Sequence, residues 1–79
     1  MPVEPMDDPT ALDARLQAAA RAGDAGTLAR GYVLAAERTD RPDEAGFFLT
    51  QAYVWALVAG DGPAAERLAA ALRRDGRLD

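Results

Sequence analysis

The chain contains no cysteine and no histidine. Serine, lysine and asparagine are missing as well, so that all nine basic residues are arginine. Each absence removes a class of chemistry. Without cysteine there is no disulfide framework, no thiolate nucleophile and no thiolate-bound metal. Without histidine the chain lacks the side chain best suited to proton transfer near neutral pH, which is also the commonest metal ligand. The threonine and tyrosine hydroxyls have neither histidine nor lysine beside them as an activating base. The glycines are isolated breaks and form no phosphate-cradling loop. Acidic side chains remain, but Asp43-Glu44 and Asp61 fall where helix starts need them, and Asp7-Asp8 fall in a proline-rich leader. Asp40, Asp43 and Glu44 could offer oxygens to a hard cation, yet no loop of alternating oxygen ligands follows. The expectation is a protein that is not an enzyme, with no cofactor and no metal.

The charge balance is acidic, at a formal −4 over 79 residues. The arginines are scattered from Arg15 to Arg77 among carboxylates, so no basic surface for nucleic acid or an anionic membrane is expected. Met-Pro-Val-Glu-Pro-Met-Asp-Asp-Pro has no basic segment followed by an apolar one and does not read as a signal peptide. The longest apolar run is well short of the roughly 20 residues that cross a bilayer. These features predict a cytoplasmic protein.

Alanine inflates the apolar fraction, and larger apolar residues are few: Leu12, Leu16, Leu28, Tyr32, Val33, Leu34, a central cluster, Leu68 and Leu72. That cluster is the segment Gly46–Gly60, GFFLTQAYVWALVAG, which holds four of the chain's five aromatic residues. Between its glycines only Thr50 and Gln51 are polar.

Local signals divide the chain into a flexible acidic leader, residues 1–8, and one helical domain, residues 9–79. Asp8-Pro9 supplies a cap and a proline at the first helical position, with Thr10 and Asp13 as an alternative capping box. Leu12, Leu16, Ala19 and Ala20 follow on one helical face before Gly23. Asp24 caps a second helix with the same spacing in Leu28, Tyr32, Ala35 and Ala36, and it ends ahead of Pro42. Pro42, Asp43 and Glu44 open a third helix that runs to Gly60. Asp61 and Pro63 open a fourth, with Ala64, Ala65, Leu68, Ala71 and Leu72 on its apolar face. Arg73 and Arg74 suit its negative end, and Gly76 breaks it. No segment alternates with the period of a strand.

The turn Ala22-Gly23-Asp24 recurs as Ala59-Gly60-Asp61, 37 residues later. The predicted fold is therefore all-α: four short helices in two antiparallel αα-hairpins, at about 9–39 and 42–76, or alternatively a small four-helix bundle.

The stretch QAYVWALVAGDGPAAERLAAAL resembles a tetratricopeptide repeat or its Sel1-like relatives. It has a bulky first helix, a Gly-Asp turn and a small residue, Ala65, early in the second helix. Tyr32 and Ala35 match the second helix of the preceding unit. Departures are Tyr53 and Ala69, whose sizes are the reverse of the family pattern, Leu72 in place of alanine, and Asp75-Gly76 where a proline closes the unit. The resemblance spans about residues 10–76. It implies a partner groove lined by the first helix of each hairpin, which here means Phe47, Thr50, Val54, Leu57 and Val58, and Thr10, Asp13, Gln17, Ala20 and Arg21. Arg21 would offer a partner carboxylate one contact. Two units fall below the three or so that such arrays need, which implies self-association.

The helical wheel gives a related division. Phe48, Ala52, Trp55, Ala56 and Ala59 share one arc, with Leu49 at its edge, and form the expected core face. Phe47, Val54 and Val58 lie opposite, between Thr50 and Gln51. Together these readings predict a non-catalytic protein-interaction module. The partner-binding residues are Phe47, Thr50, Val54, Leu57, Val58, Gln17 and Arg21, and the partner is a second copy of the chain or another protein subunit. The alternatives are burial of the whole third helix within its own domain, and a small-molecule-binding helical domain or vestigial enzyme subunit.

Overall fold

The computed structural model describes residues 9–78, with side chains from residue 11 onward. Four helices follow one another: α1, Pro9–Ala22; α2, Ala25–Arg38; α3, Pro42–Ala59; and α4, Gly62–Arg74. The described residues contain no strand.

The predicted punctuation explains the boundaries. Asp24 accepts a hydrogen bond from the Thr27 backbone N–H at 3.1 Å and another from the Thr27 hydroxyl at 2.7 Å. The hydroxyl bond is the main reason its carboxyl is held below the ordinary value, followed by the backbone bond; nearby Arg30 adds to the effect. Asp61 repeats the device, accepting from Ala64 N–H at 3.1 Å. Pro42 stands in the first turn of α3, where its missing N–H is not needed. The expected Asp8 cap of α1 lies outside the described residues. Asp13, the second member of the alternative capping box, accepts from Gln17 Nε2 at 3.1 Å, and the Thr10 side chain lies outside the described residues.

Gly60 closes α3 in the left-handed conformation, with φ +74°, and donates to the carbonyls of Ala56 and Leu57. A Cβ there would meet no neighbour. The cost of Gly60→Ala is therefore conformational, about 1–2 kcal/mol, and a thermal melt should show a fall of roughly 4–8 °C per kcal/mol. Gly62→Ala, also into open space but at a helical φ, should show no such fall.

Each helix packs on its neighbour in sequence: α1 on α2, α2 on α3, and α3 on α4. Among the described residues no other pair of helices comes into backbone contact, so α1 does not reach α4. The molecule measures 45 × 28 × 17 Å, and its thinnest dimension holds about two helix layers. The α2–α3 contact is the most extensive, and α3 touches both α2 and α4.

The core is built mainly of small side chains. Among the described residues, seven of the eleven buried apolar ones are alanine, and the others are Leu12, Leu28, Leu68 and Leu72. Ala52 and Ala56 of α3 are wholly inaccessible and join Ala29, Ala65 and Leu68 in one cluster. Leu49, Tyr53, Trp55, Tyr32 and Val33 pack around it, partly buried. Alanine at the centre lets helix backbones approach closely, and the larger side chains then close the flanks. The predicted core face holds for Ala52 and Ala56, with Phe48, Leu49 and Trp55 half-buried. Ala59 is a correction: it is exposed, bordering a groove between α2 and α4, which do not meet. Ala20, expected on the apolar face of α1, is exposed as well, since only α2 packs against that helix.

Two helix-interior glycines mark close approaches. A Cβ on Gly31 would come within 2.5 Å of Leu16 Cδ2, so α1 lies tight against α2 there. Gly46 is buried beneath the guanidinium of Arg77, which would have to swing aside to admit a side chain there. The same guanidinium donates to the Pro42 carbonyl at 3.3 Å and lies 3.5 Å from Asp43 Oδ1. Arg77 thereby ties the residues after α4 to the start of α3.

Candidate interaction surface

Packing on both sides fixes the rotation of α3. Ala52 and Ala56 must face the cluster with α2 and α4, so the residues half a turn away must face outward. Four large apolar side chains do: Phe47 at 57% exposure, Val54 at 44%, Leu57 at 55% and Val58 at 64%. Thr50 completes the row and is exposed. Its hydroxyl donates to the Gly46 carbonyl at 2.9 Å, which satisfies the polar group within the helix and leaves the methyl as its free surface.

Positions 47, 50, 54, 57 and 58 follow the i, i+3, i+7, i+10, i+11 pattern of a single helical stripe. No charged residue occurs between Glu44 and Asp61, so the stripe is electrically bare along its length. Phe47 is positioned by its neighbours. Its ring meets Phe48 edge-on at 5.7 Å, and Phe48 stacks on Tyr32 of α2 at 6.1 Å. That aromatic row anchors the base of Phe47 while its outer face stays in water. At the same end, Thr39 Oγ1 donates to Glu44 Oε1 at 2.7 Å and accepts from the Arg41 backbone N–H, which fixes the α2–α3 connection.

Gln17 and Arg21 are exposed on α1. They are not brought beside the stripe, because α1 makes no backbone contact with α3 and α2 lies between them in the stack. Asp13 and Ala20 are likewise exposed on α1, and the Thr10 side chain lies outside the described residues.

A groove of about 380 Å³ between α2 and α4 had no counterpart in the sequence reading. Ala56 and Ala59 line it from α3, Val33 and Arg30 from α2, and Leu68 and Arg67 from α4. It exists because α2 and α4 both pack on α3 without meeting each other. Among the described residues no three acidic side chains gather as a metal site, and no helix is long and apolar enough to cross a membrane.

No known protein family, curated protein or solved structure matches this chain.

Proposed function

We propose that the chain is a non-catalytic protein-interaction module that assembles through the outer face of α3, with itself or with a partner subunit. One observation carries this reading. Among the described residues the large exposed apolar side chains, Phe47, Val54, Leu57 and Val58, all belong to one helix and one stripe. Scattered apolar residues on a surface need no explanation, whereas a contiguous uncharged row is what a protein interface requires at its centre. The chemistry of the chain points the same way, since it has no histidine, cysteine, lysine or serine with which to build a nucleophile and base.

The test is sedimentation of the purified chain and of the tagged chain in extract of the cells that make it. Wild type is expected to travel as an assembly in at least one of the two. Val54→Asp is expected to travel as a single chain in both while keeping its helical circular-dichroism spectrum. Wild type that travels as a single chain in both settings overturns the proposal.

A further inference from the structure

We infer that the occupant of the α3 stripe is a second copy of this chain, whose own α3 lies across it antiparallel about a two-fold axis near Thr50 and Val54. This rests on the interaction reading above and names its partner and geometry.

Area gives the first argument. The exposures of Phe47, Val54, Leu57 and Val58 correspond to roughly 400 Å² of apolar surface per protomer. Two such stripes with their rims bury roughly 1,000–1,200 Å², the small end of specific interfaces. That suits a weak dimer of a small protein and is less than a permanent heteromeric interface uses.

Symmetry gives the second. An isologous contact needs a surface that is its own complement. In the antiparallel arrangement Phe47 of one copy faces Leu57 and Val58 of the other, and Thr50 faces Val54. The larger apolar residues at the two ends then meet each other, and Val54 meets the methyl of Thr50. The bulky ring at one end lies against branched side chains at the other.

Charge gives the third. The stripe is bounded at one end by Asp43, which pairs with Arg77 at 3.5 Å, and at the other by Asp61. The antiparallel arrangement carries Asp61 of one copy toward the Arg77–Asp43 pair of the other, which carries no net charge. A parallel arrangement sets Asp61 against Asp61, which is repulsive. Antiparallel helix dipoles favour the same choice.

The experiment uses the absence of native cysteine. Purified wild type is expected to show a concentration-dependent monomer–dimer equilibrium with a Kd of about 10–100 μM, weakened at least tenfold by Val54→Asp and by Val58→Asp. Having both variants guards against one of them misfolding. Thr50→Cys mixed with Val54→Cys should then form a disulfide-linked dimer on mild oxidation, faster than Val58→Cys alone. Wild type that stays a single chain up to about 500 μM overturns the inference. So does faster self-linking of Val58→Cys, which would report a parallel pair. Should the purified chain stay single yet assemble in extract through Val54, the second-copy inference fails while the interaction reading stands.

Discussion

Leu72→Ala is expected to remove a large share of the stability of this domain. Leu72 is 2% exposed and is the largest of the fully buried side chains. It ends the buried row Ala65, Leu68, Ala69 and Leu72, which forms the contact face of α4. Truncating a buried leucine costs about 2–5 kcal/mol, depending on how far the surroundings collapse. Collapse is limited here, because α4 packs on α3 alone and its other large core side chain is Leu68. A domain of this length has a total stability of roughly 4–12 kcal/mol. A loss of 3 kcal/mol therefore lowers the thermal midpoint by roughly 12–24 °C. The control is Leu57→Ala, the same chemical change at a side chain that is 55% exposed. It should alter the stability of the single chain by less than about 0.5 kcal/mol. Equal losses for the two leucines would show that Leu57 is covered in the single chain. Denaturant or thermal unfolding of both variants, at a concentration where assembly is negligible, provides the comparison.

The elements were legible because their signals are local. Asp24, Pro42, Gly60 and Asp61 set boundaries through their own backbone preferences and hydrogen bonds, whatever lies elsewhere in the chain. The alanines were less legible. Ala19 is buried and Ala20 exposed; Ala56 is buried and Ala59 exposed. Alanine fits both environments, so its position on a helix decides little, and the placement of neighbouring helices decides the rest. The outward stripe could be read from the wheel at Phe47, Val54 and Val58 because those residues are too large to be indifferent. Leu57 entered only through the resemblance to helical repeats. Gln17 and Arg21 came by the same route, and they stand on a helix that makes no backbone contact with α3. The seat of Arg77 on Gly46 joins residues 31 positions apart. Its one local signal is a glycine inside a helix, which is costly unless something needs the space.

The small core residues of α3 are also expected to resist enlargement, in proportion to what each one faces. Ala52 is wholly inaccessible, in the cluster with Ala29 and Ala65. Ala52→Leu adds three carbons where backbones are in close approach, so α2, α3 or α4 must move. Overpacking of this kind costs about 1–3 kcal/mol and at times more. Ala59 lies two turns further along α3 and differs in what it faces. It is exposed and borders the groove of about 380 Å³ between α2 and α4, near Ala64 and Leu68. A leucine at 59 can extend into that space and bury apolar area, so Ala59→Leu is expected to be neutral or mildly stabilising. Chemical denaturation of the two variants should separate them by at least about 1 kcal/mol in midpoint-derived stability. Equal tolerance of leucine at both positions would mean that α2 and α4 are held loosely against α3. The alanine core would then not be what sets the outward face of that helix.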